Sequence, residues 1–290
     1  MNRKPSLSDW FLLLLLAVIW GSSFILMKKG LESFLSVQVA SLRVIITALV
    51  LIPFAIVRRK EIRKEKIKYI LLQGLFGNFL PAFLFTAAQK HIDSSMAGIL
   101  NSLSPVFVFL LGIIFFSTGY TGLKLAGMVI AFSGSVLLLF VDRHNGVTGI
   151  SQYGWLIVIA TVCYGISANL IKKYLSDVHP ITITAMAFSM LVIPALFILS
   201  LSGFTLSLHD DQAAYASLGY IAILGIFGSG LASIIYNKVI HRTTALFAAS
   251  VTYLIPIVAV FWGLLAGEPI GAIDYVGMGL IFCGVYLVGK

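Results

Sequence analysis

Long apolar stretches recur along the whole of this chain, and they restrict the folds that it can adopt. Ten such runs, each of about 20 residues, are long enough for an α-helix to cross the hydrocarbon core of a bilayer. They fall at 9–29, 34–57, 68–89, 94–116, 122–141, 153–174, 180–201, 215–238, 244–266 and 271–289. Backbone groups in lipid must find their hydrogen-bond partners within the segment, which favours helices over open strands. The pattern predicts an all-α integral membrane protein with ten transmembrane helices.

Charged residues are too few to surround a soluble core. Only 11% of the residues are charged and 59% are apolar, whereas a soluble domain carries roughly 25% charged residues. Cys163 and Cys283 both lie inside apolar runs, which indicates small packed side chains rather than a disulfide or a metal site. We therefore expect the lipid bilayer to be the main partner of the chain, and we expect no cofactor.

The basic residues fix the predicted orientation. With both termini in the cytoplasm, fifteen Lys and Arg residues fall on the inner side and four on the outer, and the twentieth, Arg43, lies within a span. Short cytoplasmic loops of membrane proteins carry such an excess. The run from Arg58 to Lys68 could also bind RNA or anionic lipid, but topology explains it and the net charge of +9. The sequence predicts a multi-pass protein of the cytoplasmic membrane and no nucleic-acid partner.

The two halves of the chain resemble each other. Glycines and a proline recur at a nearly constant offset through several helices. The matched segments are Gly21-Ser22-Ser23 with Gly165-Ile166-Ser167 (offset 144), Gly74-Leu75-Phe76-Gly77 with Gly225-Ile226-Phe227-Gly228 and Pro105 with Pro256 (offset 151), and Gly127-Met128 with Gly277-Met278 (offset 150). The register predicts an internal duplication.

Each copy contains five predicted spans, so the second copy enters the membrane from the opposite side. The sequence thus predicts two inverted five-helix repeats, residues 1–145 and 146–290. Inverted repeats are frequent in secondary transporters, where the substrate site lies near mid-membrane between the halves and faces each side in turn. A duplicated scaffold with no transport role remains the alternative.

Three segments resemble a known family. They are Trp20-Gly21-Ser22-Ser23-Phe24, Leu103-Ser104-Pro105-Val106-Phe107, and Gly267-Glu268 followed by Gly277 and Leu280-Ile281-Phe282-Cys283-Gly284-Val285. Together they resemble the drug/metabolite transporter superfamily, EamA-type. The resemblance implies ten helices in two inverted repeats and transport of metabolites, often amino acids and frequently outward. The chain departs from the family pattern at Ser117, where the first repeat often has an acidic residue, and at Tyr164, where the second often has tryptophan.

Two prolines are predicted inside spans. A proline at position i cannot donate to the carbonyl of residue i−4, so Pro105 and Pro256 would free the carbonyls of Asn101 and Thr252. Such groups are tolerated in a membrane beside other protein groups or a water-filled cavity. We predict symmetric kinks that turn these carbonyls toward a central path; a packing kink satisfied by a neighbouring helix is the alternative.

Other polar and aromatic residues at membrane depth are candidates for the pathway. Amides both donate and accept hydrogen bonds, which suits a neutral or zwitterionic substrate, but they also join helices. Tyrosine and tryptophan need polar partners when buried, although many simply pack. The complete predicted pathway set is Trp20, Ser23, Arg43, Asn78, Asn101, Tyr164, Asn169, Tyr236, Asn237, Thr252 and Tyr253.

Arg43 is the one full charge predicted deep in a span, about 10 Å along the helix axis. It either extends to the outer interface or binds a substrate carboxylate. Its repeat partner, near Thr184, is uncharged. Symmetry therefore does not require the charge.

The predicted function is secondary transport of a small polar metabolite by alternating access, with an amino acid or related compound exported. No Asp, Glu or His falls in the middle of a predicted span, which favours a facilitator or exchanger, because proton-driven carriers commonly keep such a group in the membrane. A channel is the first alternative and an intramembrane enzyme the second. The small-residue run from Gly127 to Ala131 could serve internal packing or a homodimer.

Overall fold

The computed structural model describes residues 4–92, 94–119, 121–140, 153–204, 212–265 and 272–290. Every regular element in these ranges is helical. Six helical segments have the length and hydropathy of membrane spans, and four shorter apolar helices accompany them. Large apolar side chains such as Phe11, Val57 and Ile193 lie exposed on the outside of the bundle, where lipid replaces water. The predicted all-α fold is confirmed, and the six long and four shorter apolar helices agree with the predicted ten spans.

The helices of the first half give five spans, of which the third and fourth consist of more than one segment. In chain order they are α1 (Leu7–Leu31), α2 (Ser36–Arg58), α3 (Lys64–Gly74) continued by a π-helical segment (Leu75–Phe79) into α4 (Leu80–Gln89), α5 (Ser94–Asn101), α6 (Ser104–Phe116) and α7 (Gly122–Phe140).

The second half repeats this order, including the interruptions. Its elements are α8 (Gly154–Tyr174), α9 (Pro180–Leu201), α10 (Gln212–Ile223) continued by a π-helical segment (Leu224–Leu231) into α11 (Ala232–Arg242), α12 (Ala245–Ala249), α13 (Val251–Leu265) and α14 (Ala272–Gly289). The predicted boundary between the repeats, at residues 145 and 146, lies outside the described residues and stays a prediction.

The fourth and ninth spans are broken rather than kinked at their prolines. α5 ends at Asn101 and α6 begins at Ser104, so Pro105 lies in the first turn of α6. Proline suits that position because the first N–H groups of a helix lack a partner in any case. The hydroxyl of Ser104 donates to the Asn101 carbonyl at 2.7 Å. The prediction that Pro105 leaves this carbonyl free was therefore wrong.

In the ninth span the break precedes the proline by a greater distance. α12 ends at Ala249 and α13 begins at Val251, whereas Pro256 lies inside α13. At offset 151 the break at residues 102–103 corresponds to 253–254, which lie inside α13, so the two spans are interrupted at different places relative to their prolines. The predicted symmetry of the two proline kinks is not observed.

Reciprocal contacts reveal the symmetry of the two halves. A Cβ built on Gly21 would lie 2.9 Å from Val258 Cβ, and one built on Gly165 would lie 2.9 Å from the carbonyl carbon of Phe107. Gly165 is the repeat partner of Gly21 at offset 144, and Val258 is that of Phe107 at offset 151. The two contacts are thus the same contact with the first and second repeats interchanged, which indicates a two-fold axis between the repeats.

The packing of α7 on α14 gives the direction of the two-fold axis. A Cβ on Gly127 would lie 2.7 Å from the Gly284 carbonyl oxygen, and one on Gly134 would lie 2.8 Å from that of Gly277. Ascending numbers in α7 thus meet descending numbers in α14, so these equivalent helices are antiparallel. The axis lies across the helices, as an inverted repeat requires.

Candidate functional site

A cavity lies between the two halves. Helices from both repeats contribute to its wall. Its lining residues are Trp20, Ser23, Phe24, Met27, Arg43, Gln73, Gly77, Asn78, Phe85, Asn101, Ser104, Tyr164, Ser167, Gly228, Ser233, Tyr236, Asn237, Ala249, Val251, Thr252 and Ile255. Among them Arg43 alone carries a full charge.

Much of the wall consists of residues in equivalent positions. The equivalent lining pairs are Trp20 with Tyr164, Ser23 with Ser167, Gly77 with Gly228, Phe85 with Tyr236, and Asn101 with Thr252. The aromatic members pack across the repeats in the reciprocal way: Trp20 lies 5.3 Å from Tyr236, and Phe85 lies 6.0 Å from Tyr164, measured between ring centroids. The cavity therefore surrounds the pseudo-two-fold axis.

Two glycines allow the first helix of each repeat to approach the opposite π-helical segment. A Cβ on Gly228 would lie 2.8 Å from Ser23 Oγ, and a Cβ on Gly77 would overlap Ser167 Oγ. Each serine thus occupies the space of a missing side chain in the other repeat. At these two positions the close approach itself requires glycine.

The π-helical segments also supply backbone groups at the cavity. Such segments occur frequently at functional sites, because the widened turn interrupts regular pairing. Trp20 Nε1 donates to the Gly228 carbonyl at 2.9 Å, and Thr47 Oγ1 donates to that of Gly225 at 2.7 Å. These bonds hold α1 and α2 of the first repeat against the π-helical segment of the second.

Arg43 extends into the cavity and not to the outer interface. Its Nε donates to the hydroxyl of Ser229, in the π-helical segment of the second repeat. In the described part of the chain, no carboxylate lies within ion-pair distance of it. Removing a cation from water costs several kcal/mol unless an anion or strong acceptors offset the loss. The guanidinium is therefore suited to bind an anionic group.

Equivalent contacts join the repeats at opposite ends of the bundle. Lys66 Nζ lies 2.8 Å from Asp177 Oδ1 at one end. Ser217 and Ser33, their repeat partners at offsets 151 and 144, lie 2.9 Å apart between hydroxyl oxygens at the other. The hydrogen bond from Lys66 holds the pKa of the Asp177 carboxyl below its ordinary value. An ion pair thus joins the repeats at one end and a neutral pair of hydroxyls joins them at the other.

Comparison with known proteins gives the family of the chain. The model of the EamA-like transporter family matches it twice, at residues 8–140 and 153–290. The chain belongs to the EamA-like transporter family. It is accordingly a membrane transporter, and the resemblance drawn from its motifs is confirmed.

Relatives of this EamA-like transporter match it over nearly their whole length. A protein named "uncharacterized transporter" from Archaeoglobus fulgidus is 29% identical, covering 97% of this chain and 99% of the relative. A "probable amino-acid metabolite efflux pump" of Escherichia coli is 27% identical, covering 99% and 95%. One crystal structure superposes with a TM-score of 0.71 at 16% identity, covering 97% and 96% of the two chains, which supports the fold.

Nine of the predicted pathway residues line the cavity of this EamA-like transporter and two do not. Asn169 Nδ2 donates to the carbonyls of Val108 and Gly165, both at 2.9 Å, so this amide joins α8 to α6. Tyr253 is fully buried in an apolar cluster. Both side chains face away from the cavity because of the rotation of their helices, which an apolar sequence does not specify.

Sequence reasoning missed several lining residues. The polar ones are Gln73, Ser104, Ser167 and Ser233. Ser167 could have been found as the repeat partner of Ser23. Gln73 lies close to the basic run before it and resembles an interfacial residue. Glu268, part of the family motif, lies outside the described residues, and Ser117 ends α6 in a left-handed conformation (φ 54°). No group of three His, Cys, Asp or Glu in the described ranges could hold a metal ion.

Proposed function

We propose that this transporter exports a small carboxylate-bearing metabolite, an amino acid or related compound, across the cytoplasmic membrane by alternating access. The observation that carries the proposal is Arg43, a cation with no carboxylate partner among the described residues, in a cavity shared by two inverted repeats. A substrate carboxylate supplies the missing anion. Ion-paired hydrogen bonds of this kind are about twice as strong as neutral ones.

The rest of the wall suits a small polar molecule with an apolar part. The polar residues Asn78, Asn101 and Ser104 line the same cavity as the aromatic residues Trp20 and Tyr164. Rings of this kind pack against apolar substrate groups and keep a polar edge for hydrogen bonding. The name of the Escherichia coli relative, an efflux pump for amino-acid metabolites, agrees with this class and with outward movement.

The paired contacts at the two ends support alternating access. Lys66 with Asp177 and Ser217 with Ser33 are equivalent by the internal repeat. In an inverted repeat the two halves can exchange conformations, so that one end opens while the other closes. With the termini in the cytoplasm, the ion pair forms the inner closure and the serine pair the outer closure.

Counterflow in liposomes tests the proposal. Vesicles containing the purified protein are loaded with an unlabelled amino acid, and uptake of the labelled compound is followed for a panel of amino acids and simple carboxylates. We expect saturable uptake that internal substrate accelerates and that Arg43→Gln largely abolishes. Flux that neither saturates nor responds to internal substrate would indicate a channel. Arg59→Gln, at an exposed position beyond the end of α2, is the matched control.

A further inference from the structure

The polar wall of the cavity is asymmetric, although its frame is symmetric. Gln73 has Leu224 as its repeat partner, and Arg43 has an uncharged residue. Packing identifies the repeat partner of Arg43. Gly74 and Gly225 are equivalent, and Gly74 lies against Ala187 as Gly225 lies against Arg43. Ala187 is therefore the residue of the second repeat that is equivalent to Arg43. Polar groups that occur in one repeat only are not needed for the duplicated fold.

Two amide oxygens of the wall are buried without a partner. Gln73 is 3% exposed and Asn237 is 1% exposed, yet Gln73 Oε1 and Asn237 Oδ1 accept no hydrogen bond within the described residues. A buried acceptor left in this state is destabilising, because it has lost its hydrogen bond to water and gained none in exchange. Both residues line the cavity, so a ligand there can supply the missing donor.

A hydrogen-bond relay fixes the direction in which Asn237 presents its oxygen. Thr184 Oγ1 donates its proton to the Pro180 carbonyl at 3.0 Å. It can then only accept from Asn237, whose Nδ2 lies 3.0 Å away. The amide nitrogen is therefore committed to Thr184, and the oxygen is left without a donor among the described residues.

We propose that Gln73 and Asn237 form an acceptor subsite that binds the ammonium group of a zwitterionic substrate whose carboxylate lies on Arg43. This inference rests on the proposed function. Neutral amide oxygens accept hydrogen bonds from an ammonium without adding a charge, and the described residues of the cavity wall include no carboxylate. The site therefore selects zwitterions and rejects molecules with a net positive charge.

The spacing of the two subsites indicates the shape of the substrate. Arg43 is attached to Ser229, and Asn237 follows Ser229 by eight residues along the continuous π-helical segment and α11. At 1.5 Å per residue the two levels are roughly 12 Å apart, and a hydrogen bond of about 2.9 Å at each end of a bound substrate spans part of that distance. A substrate that contacts both subsites has its ammonium several bonds from its carboxylate, as in an ω-amino acid or a dipeptide.

A series of ω-amino acids of increasing length, from glycine to 6-aminohexanoate, tests the inference by competition in the counterflow assay. Each is compared with the carboxylate of equal length that lacks the amine. We expect competition to strengthen by 10-fold or more along the amine series and to stay flat along the amine-free series. Equal competition by both series, or a maximum at glycine, overturns the subsite.

Variants separate a lost subsite from a misfolded protein. Gln73→Leu should remove most of the advantage of the long amines, while competition by amine-free carboxylates is kept. Gln73→Glu should increase the preference for amines at least 10-fold, a gain that misfolding cannot produce. Thr184→Val, which releases Asn237, should raise KM for long amines and leave kcat and the amine-free competitors unchanged. If Gln73→Glu leaves the preference unaltered, the assignment of Gln73 is wrong.

The outcome also distinguishes this inference from the function on which it rests. If amine-free and amine-bearing carboxylates compete equally and both depend on Arg43, the proposed function holds and the acceptor subsite fails. If no carboxylate competes and Arg43→Gln transports normally, the proposed function fails and the subsite falls with it.

Discussion

Arg43 donates a hydrogen bond from its Nε to Ser229, so the guanidinium of α2 is held by the π-helical segment of the opposite repeat. The bond lies at the wall of the central cavity and joins the first repeat to the second. Because Arg43 is half-buried and has no carboxylate partner among the described residues, the bond positions the guanidinium without neutralising its charge. The side chain is thus directed and still able to bind an anion.

Replacing Arg43 should remove carboxylate binding. A hydrogen bond to a charged group contributes about 1.5–3 kcal/mol, so Arg43→Gln should lower kcat/KM for a transported carboxylate by roughly 10- to 100-fold. Arg43→Lys should recover part of this loss, because it restores the charge but not the forked geometry. Initial counterflow rates over a range of substrate concentrations give both values. Equal kcat/KM in Arg43→Gln and wild type would remove Arg43 from the site.

The contacts between Ser23 and Gly228 and between Ser167 and Gly77 predict a rescue experiment. Gly228→Ala places a methyl group 2.8 Å from Ser23 Oγ, and such overpacking costs typically 1–3 kcal/mol. We expect a lower thermal midpoint and slower transport, both partly restored when Ser23→Ala is added. Gly219→Ala is the control, since a Cβ there meets no atom within 4 Å.

The symmetric counterpart should behave alike. Gly77→Ala should also be destabilising, and Ser167→Ala should restore it in part. A rescue at one pair and not at the other would contradict the reciprocal packing of the two repeats, even if each single substitution is harmful.

The ion pair of Lys66 and Asp177 predicts a pH dependence of stability. The pKa of Asp177 is lowered in the folded protein, so its stabilising contribution is present above the pKa of the unfolded chain, about 3.9. It is lost as the pH falls through the lower folded value. The difference in thermal midpoint between wild type and Asp177→Asn should be constant from pH 5 to 8 and decrease below about pH 4. A difference that first changes near neutral pH would assign the effect to another group.

The contact of α7 with α14 predicts intolerance of larger side chains. A Cβ on Gly284 would overlap the backbone nitrogen of Ala131 and the carbonyl oxygen of Gly127, and a backbone cannot rotate aside as a side chain can. Gly284→Val should therefore lower the thermal midpoint in detergent by several degrees or prevent folding, whereas Gly279→Val, in open space, should do neither. Equal midpoints for the two variants would contradict the close packing of this helix pair.

The ten spans and the inverted repeat could be predicted because they depend on features that the sequence displays directly. Run length gives each span, and the glycines at positions such as 74 and 225 keep the register because neighbouring helices approach closely there. The rotation of each helix is a different matter. Asn101 and Asn169 have similar surroundings in sequence, yet one faces the cavity and the other binds the backbone of α6.

The breaks and the π-helical segments were also beyond the sequence pattern. A π-helical turn adds a residue without changing composition, so nothing in the apolar run around Gly77 or Gly228 indicates it. Pro105 and Pro256 are equivalent by register, but in the first repeat the hydroxyl of Ser104 donates a hydrogen bond to the Asn101 carbonyl. Ile255 stands at the equivalent position in the second repeat and has no hydroxyl to do so. Hydrogen bonds between local side chains and the backbone, rather than proline alone, decide where these helices are interrupted.

Side-specific labelling of the cavity tests alternating access most directly. In a background with Cys163→Ala and Cys283→Ala, the cavity-lining Ser233→Cys is labelled with a membrane-impermeant thiol reagent from each side of oriented vesicles. The account predicts labelling from both sides, and it predicts that Lys66→Ser with Asp177→Ser raises the inner rate and lowers the outer rate. Two results would contradict the account. One is labelling from one side alone that the Lys66→Ser and Asp177→Ser substitutions do not alter. The other is a rise of the inner and outer rates together.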